Sequence, residues 1–153
     1  MDLGFWFSNM SNFAMIGWLF LAFYPRRKAW LFKLTGLIMP ALMGIVYAAF
    51  FIPNLVGTPG AGYNSLEQVQ ALMSNPALLL AGWIHYLAFD LAVGTYIAKQ
   101  SDKIGLARII QIPVLFLTFM FGPIGLMTFV LIKSTRKISE PIFGNLIKKG
   151  ETA

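Results

Sequence analysis

An apolar stretch between Asn75 and Gln100 contains the only histidine of the chain, His85, together with Tyr86 and Asp90. These side chains donate and accept protons, and general acid–base catalysis uses such groups. Hydrocarbon cannot solvate a carboxylate, and insertion scales assign an Asp at mid-helix a cost of about 2.5–3.5 kcal/mol. An ionisable residue kept in such a segment is therefore a hypothesis for a functional site.

Helical spacing divides the polar residues of this stretch between two faces. At about 100° per residue, one face carries Trp83, Tyr86, Asp90 and Gly94. His85 lies about 140° around the helix from Asp90, so these two do not hydrogen-bond directly in a regular helix. Tyr86, one turn before Asp90, is the better placed partner.

Asp90 and His85 each have a catalytic and a structural interpretation. A desolvated Asp90 would keep its proton near neutral pH and act as a general acid, or it would be a polar clamp to a neighbouring helix. His85 is either a general base or a neutral imidazole bonded to a carbonyl or a tyrosine. We expect no metal, because the chain has one histidine and no cysteine, whereas catalytic zinc takes three protein ligands.

The composition places these residues in a membrane protein. The 153 residues are 58% hydrophobic and 12% charged, with a mean hydropathy of +0.70, which lies outside the soluble range. Four apolar stretches approach the roughly 20 residues that cross a bilayer, and we predict spans over 5–24, 30–52, 76–98 and 109–132. The predicted fold class is all-α: a polytopic integral membrane protein, with four transmembrane helices in a bundle and a single domain over 1–153.

The segments between the spans differ in charge. The loop 53–75 contains no Lys or Arg, and its Ser65-Leu66-Glu67-Gln68 pattern predicts a capping box that starts a short interfacial helix or an ordinary connecting helix. Asn75-Pro76 predicts the N-cap and first residue of the third span. The positive-inside rule places this loop outside and the basic loops at 26–28 and 99–108 in the cytoplasm.

The basic tail, 133–153, conflicts with that topology. After four spans the tail lies outside, although it carries several lysines. A break at Gly122-Pro123 would instead turn the fourth stretch back and return the tail to the cytoplasm. We predict four plain spans, because the first three loops form the cleaner pattern. The net charge of +6 comes from residues beside spans, so we expect membrane lipid, and no nucleic acid, as the partner.

Two segments resemble a known family: GWIHYLAFDL at 82–91 and FLTFMFGPIGL at 116–126. Together they are similar to the abscisic-acid-deficient-four-like family, which includes a plant chloroplast membrane protein needed for neoxanthin formation and bacterial relatives of unknown function. The resemblance covers about 33–133. The matching positions are Trp83, His85, Asp90, Leu91, Pro123 and Gly125, with Pro40, Gly44 and Tyr47 in the second span.

The chain also departs from that family. Family members commonly place an aromatic residue and an arginine soon after the Asp-Leu pair, where this chain has Ala92-Val93-Gly94-Thr95. We also expect no Ser/Arg-rich transit peptide. The chain therefore resembles the bacterial branch, and we expect it in a bacterial inner (cytoplasmic) membrane.

The resemblance implies chemistry on a carotenoid or related isoprenoid within the bilayer. Converting a 5,6-epoxide to an allene requires a proton for the epoxide oxygen and the removal of one from the polyene, and it needs no cofactor. In this interpretation Asp90, with Tyr86 as its partner, is the acid and His85 is the base. The residues expected to contact the substrate are Trp83, Gly94, Tyr47, Pro123 and Gly125.

The sequence leaves open whether the protein is an enzyme. An isomerase would convert the pigment, whereas a carotenoid or lipid binder would return it unchanged. An assembly subunit of a membrane complex is a further alternative. A transporter is another, and with four spans per protomer it would require a homodimer to form its pathway. In the non-enzymatic interpretations, Asp90 and His85 orient a ligand hydroxyl or fix the packing of helices.

Overall fold

The computed structural model describes residues 2–24 and 29–150, and it describes side chains within 2–24 and 30–136. These residues form α-helices and one π-helical segment, without a strand, as the all-α prediction requires. The elements are α1 (Leu3–Phe23), α2 (Ala29–Lys33), the π segment (Leu34–Ile38), α3 (Met39–Gly57), α4 (Leu66–Ser74), α5 (Pro76–Lys103), α6 (Arg108–Phe121) and α7 (Pro123–Gly150). The basic cluster predicted at 26–28 lies outside the described residues.

Two helices in the described part of the chain are long and apolar enough to cross a membrane. They are the continuous helix Trp30–Gly57 and α5, each of 28 residues, or about 42 Å at 1.5 Å per residue. They correspond to the predicted spans 30–52 and 76–98. Helix α1 has 21 residues, but Ser8, Asn9, Ser11 and Asn12 make its first half more polar.

The stretch 109–132, predicted as one span, consists of two helices. Helix α6 ends at Phe121, and α7 begins at Pro123 after Gly122, whose φ of 32° favours glycine. A Cβ atom on Gly125 would overlap the backbone of Thr118. In a continuous helix these two residues would be about 10 Å apart along the axis, so the chain reverses at Gly122. The predicted plain span is therefore replaced by a helical hairpin.

The helices belong to two compact units, Met1–Tyr96 and Ile97–Ala153. In the first unit α1 and α5 run in the same direction. The Trp83 indole N–H donates to the Ser11 hydroxyl oxygen at 3.0 Å, and the ring of Trp18 covers Gly94 further along both helices.

The helix Trp30–Gly57 runs antiparallel to α1 and α5. Its early residue Met39 lies against Gly17, near the end of α1, whereas Phe50 packs on Trp6 near the start, with ring centroids 5.8 Å apart. The apolar core of this unit includes Ala14, Met43 and Ile84, all fully buried. Close van der Waals packing of such side chains stabilises the association of helices in a membrane.

The π segment lies where this helix contacts Thr95 of α5. The Met39 N–H donates to the carbonyl oxygen of Leu34, five residues earlier, as in a π turn. A Cβ atom on Gly36 would be 2.7 Å from the Thr95 methyl carbon, so glycine permits the approach. The buried hydroxyls of Thr35 and Thr95 lie 3.0 Å apart, in hydrogen-bond contact.

The short helix predicted within 53–75 is α4. The Gln68 N–H donates to Ser65 Oγ at 3.3 Å, while Gln68 Oε1 accepts from the N–H of Asn64 at 3.1 Å. The reciprocal bond of the capping box therefore reaches one residue further back than the usual motif. Asn75 Oδ1 accepts from the N–H of Ala77 at 2.9 Å, so Asn75 caps α5 as the Asn-Pro pair indicates.

Candidate functional site

Helix α5 separates two cavities of the first unit. The larger, of about 560 Å³, is formed by the start of α1, by Met73 of α4 and by α5; we call it the Trp83 cavity, and its α5 lining includes Leu79, Gly82, Trp83 and Tyr86. The smaller, of about 350 Å³, lies between α3 and α5. We call it the His85 cavity, and it is lined by Pro40, Gly44, Tyr47, His85, Ala88, Phe89 and Ala92.

Small residues at one-turn spacing form the His85 cavity. Gly44 lies one turn after Pro40 on α3, and Ala92 lies one turn after Ala88 on α5. Residues four apart share a helix face, so two narrow faces meet and leave a groove. Nothing lies within 4 Å of the position that a Cβ atom on Gly44 would take. The groove is therefore open beside this glycine.

Aromatic rings surround His85 within this groove. The centroids of the His85 and Phe89 rings lie 4.6 Å apart, with the ring planes 27° from parallel. The Tyr47 ring lies 5.5 Å from that of His85 and stacks on Phe51 at 5.0 Å. His85 is an exposed residue of a helix that is apolar enough to span a membrane. The site thus combines an imidazole, a phenol hydroxyl and flat apolar walls.

Asp90 and Tyr86 are bonded to each other on the opposite face of α5. The Tyr86 hydroxyl and the Asp90 carboxyl form a side-chain hydrogen bond, the pairing that helical spacing predicted. The second carboxyl oxygen, Oδ2, is buried and has no hydrogen-bond partner among the described residues. Asp90 lines neither of the two cavities, whereas Tyr86 lines the Trp83 cavity. The structure therefore does not bring Asp90 and His85 to one site.

The predicted substrate residues are divided as well. Tyr47 lines the His85 cavity, and Trp83 lines the larger one. Gly94 offers no space to a ligand, because a Cβ atom there would overlap the ring of Trp18, which is itself only 6% exposed. The expectation of a ligand contact at Gly94 gives way to close packing of α1 on α5.

Pro123 and Gly125 belong to the second unit, at the start of α7. Gly125 packs against Thr118 of α6, so this glycine also serves helix packing rather than an open site. Pro123 follows the turn and begins a helix, the position at which its missing N–H costs nothing. Their conformational role in the hairpin accounts for the Gly-Pro-Ile-Gly pattern that the sequence shows.

The sequence analysis did not predict that Phe89, Ala88 and Ala92 line a cavity beside His85. Their signal was present, since all three lie within one turn or two of His85 on its own helix face. Within the described part of the chain, no three His, Asp or Glu side chains come together as metal ligands would. The polar side chains that line the His85 cavity are those of His85 and Tyr47.

Comparison with known proteins identifies the family of the chain. No curated protein and no solved structure matches the chain. The sequence model described as ABA DEFICIENT 4-like matches residues 5–129, a range that includes every residue of the His85 cavity. Together with the two apolar helices, this match indicates a membrane protein. The chain belongs to the ABA4-like family.

Proposed function

We propose that this protein isomerises a carotenoid or a related isoprenoid inside the bilayer, at the His85 cavity. The observation that carries the proposal is the position of His85. The only histidine of the chain is exposed at an apolar groove, with a tyrosine ring 5.5 Å away, on a helix that could cross a membrane. Membership of the ABA4-like family supports the substrate class.

The shape of the groove suits a flat, unsaturated ligand. Rings of Tyr47, His85 and Phe89 form one part of the wall, and glycine, alanine and proline form the rest. Ligand sites typically combine apolar walls with few polar groups that fix orientation. In this groove the polar groups are the imidazole of His85 and the hydroxyl of Tyr47.

We assign the base to His85 and the acid to Tyr47. The imidazole removes a proton from the polyene carbon next to an epoxide, and the electron pair of that C–H bond forms the new double bond of an allene. The epoxide C–O bond breaks, and its electron pair stays on the oxygen, which takes a proton from the Tyr47 hydroxyl. The imidazolium then returns its proton to the tyrosinate, so substrate and product are isomers and no cofactor is consumed.

The Asp90–Tyr86 pair takes a structural role in this proposal. Asp90 lines neither cavity and lies one turn before Gly94, where α1 packs on α5. Its partner Tyr86 lies one turn away on the same helix, so the pair stabilises α5 itself. The bond to a neighbouring helix, which was the second interpretation of the sequence, stays a prediction. Catalysis by Asp90 with His85 stays a prediction, which the same experiment tests.

The test uses a host that makes epoxy-carotenoids and expresses the wild type, His85→Gln, Tyr47→Phe or Asp90→Asn. Pigments are separated by chromatography and identified by mass and absorbance. We expect a new isomer with the wild type and with Asp90→Asn, and its loss in His85→Gln, because acid–base groups contribute about 10²–10⁴-fold. If the isomer disappears in Asp90→Asn and persists in His85→Gln, the catalytic site lies on the Asp90 face of α5 and the proposal is wrong.

A binding protein is the second candidate function, and the Trp83 cavity favours it. This cavity of about 560 Å³ is the larger of the two and is almost wholly apolar, with Phe7, Met73 and Leu79 in its lining. A ligand held there would meet few groups able to react. Pigment that copurifies unchanged with the wild type, and is lost when Leu79→Trp fills the cavity, would support this function.

We also propose that the first unit crosses the membrane three times. Helix α1 contains no charged residue, and its 21 residues extend about 31 Å, close to the roughly 30 Å of hydrocarbon. It runs beside the two helices that are apolar enough to span, in the same direction as α5. The expected four-span bundle is thereby reduced to three crossings and the α6–α7 hairpin.

A further inference from the structure

The two ends of the α6–α7 hairpin lie together. Arg136 of α7 donates from Nη1 to the carbonyl oxygens of Ile104 and Gly105, each at 3.3 Å. These carbonyls belong to the turn that precedes α6, so α7 returns to the level at which α6 begins. Since a guanidinium is always charged and a charge is costly in hydrocarbon, this end of the hairpin belongs at a polar boundary.

Charge is confined to that end. Arg108 begins α6, Lys133 and Arg136 lie in the returning part of α7, and no charged residue occurs between Arg108 and Lys133. The opposite end, around Phe121 and Gly122, carries only apolar side chains and glycine. Basic residues at one end and none at the other are typical of a segment that enters a bilayer from the headgroup level.

The surface of the hairpin is apolar between its two ends. Ile109 is 80% exposed, Phe116 and Leu131 are 60% exposed, and Phe121 at the tip is 53% exposed. Monomeric soluble proteins rarely expose contiguous apolar patches of this kind, and larger ones mark a protein or membrane contact. The charge pattern identifies the occupant of this surface as lipid.

The hairpin is too short to cross. Helix α6 has 14 residues and is therefore about 21 Å long, compared with roughly 30 Å for the hydrocarbon of a bilayer. The turn between the helices is a single buried residue, Gly122: its N–H donates to Thr118 O at 2.8 Å, and its carbonyl oxygen accepts from the Leu126 N–H at 3.2 Å. Pro123, which follows, has no N–H to satisfy. An apolar tip of this kind is compatible with hydrocarbon.

We propose that α6 and α7 form a re-entrant hairpin. It enters one leaflet at Arg108, turns at Gly122 within the hydrocarbon, and leaves on the same side at Lys133. The lipid acyl chains cover its apolar surface, while the basic residues lie at the headgroups. This topology places the tail on the side of the loop 99–108 and removes the conflict that four spans create with the positive-inside rule. It does not depend on the proposed reaction.

The absence of cysteine from the sequence makes the test direct. Single cysteines are introduced at four exposed positions: Asn64→Cys, Ala107→Cys, Phe121→Cys and Ser134→Cys. Each variant is treated with a membrane-impermeant maleimide in right-side-out and in inverted vesicles. We expect Ala107→Cys and Ser134→Cys to react in the same vesicles and Asn64→Cys to react in the other kind.

The tip decides between a re-entrant hairpin and a pair of crossings. We expect Phe121→Cys to react in neither kind of vesicle until detergent dissolves them. Reaction of Phe121→Cys from the Asn64 side would show that α6 crosses fully, and reaction of Ser134→Cys from that side would show a fourth plain span. Either result would overturn the proposal. Ile124→Cys, also exposed at the tip, is the second variant for this position.

Discussion

The two faces of α5 in the first unit use glycine in opposite ways. On the Asp90 face, Gly94 is covered by the ring of Trp18, and α1 approaches α5 closely. On the His85 face, the facing helix contributes Gly44, and nothing lies within 4 Å of the position of its missing Cβ. One glycine therefore closes an interface, and the other leaves a groove open. The candidate site is distinguished by its accessibility to a ligand and not by the Asp90 carboxyl in the span.

The difference bears on how an ionisable residue in a span is interpreted. Such residues are costly in hydrocarbon and mark functional sites by default. Asp90 meets that description, yet it is bonded to Tyr86 and lines neither cavity. His85 is exposed and lines a cavity, so it is the residue that a ligand can reach. The predictions below test this contrast in order of expected effect.

The largest expected effect is on the rate of conversion, when the tyrosine hydroxyl on the His85 face is removed. Tyr47→Phe should lower the rate of conversion about 100-fold, because Tyr47 supplies the proton for the leaving oxygen. Tyr86→Phe, the matched control, should change that rate less than about threefold. The measurement is the rate of isomer formation with purified protein in lipid nanodiscs. Equal losses in the two variants would remove the functional contrast between the faces.

The next effect concerns stability. Gly94→Ala should lower the free energy of unfolding by about 1–3 kcal/mol, because the added methyl group overlaps a rigid indole ring. Gly44→Ala should leave stability nearly unchanged, since the methyl group enters the open groove, but it should weaken ligand retention there. Thermal unfolding in detergent measures the first quantity and pigment recovery the second. Similar stability losses at the two glycines would contradict the open groove.

A smaller effect is expected from the hydrogen bond between Tyr86 and Asp90. Tyr86→Phe should lower the free energy of unfolding by about 0.6 kcal/mol, the average for side-chain hydrogen bonds in a membrane bundle, and by at most about 1.7 kcal/mol. Asp90→Asn keeps the size and an acceptor oxygen and should lower it less. Thermal unfolding of both variants and of the double variant gives the coupling between the two positions. Simple additivity would mean that the bond contributes nothing.

The smallest effect is a pH dependence at α4, whose Met73 lines the Trp83 cavity. The backbone N–H of Glu67 and the Ser65 hydroxyl hold the pKa of the Glu67 carboxyl below its ordinary value of 4.5. Because the folded-state pKa is lowered, this contribution to the stability of α4 is present above pH 4.5 and is lost as the pH falls below that value.

The measurement for α4 is the set of Cα chemical shifts at pH 6.5 and pH 3.5. We expect the shifts of α4 to move towards coil values at the lower pH in the wild type and to change less in Glu67→Gln. The α3 residues that line the His85 cavity should show no matching change. A parallel movement of those signals would mean that the two cavities are coupled.

Local signals in the sequence predicted local structure well. Ser65 and Asn75 begin α4 and α5 as their capping patterns indicate, and the pairing of Tyr86 with Asp90 follows from helical spacing alone. These features depend on residues within one turn of each other, so no knowledge of the packing was needed. Position in the sequence was sufficient to place them.

Features that depend on which helix faces meet could not be predicted in the same way. Local sequence patterns do not predict that Tyr47 lies beside His85 or that Trp18 fills the space at Gly94, because both contacts join residues far apart in the chain. Hydropathy also does not distinguish one long span from two short antiparallel helices of equal apolarity. The Gly122-Pro123 pair gave the signal for the turn, and the pattern of the first three loops outweighed it.

The π segment has a consequence for how the family can vary. A π turn holds one residue more than an α turn, so the helix after Ile38 is rotated by about 100° relative to a helix without the extra residue. Deleting one residue from Leu34–Ile38 would keep Trp30–Gly57 helical and keep its composition. It would nevertheless turn Gly44 and Tyr47 away from His85. A change of one residue in length, with no substitution in the groove, would thus be enough to abolish the site.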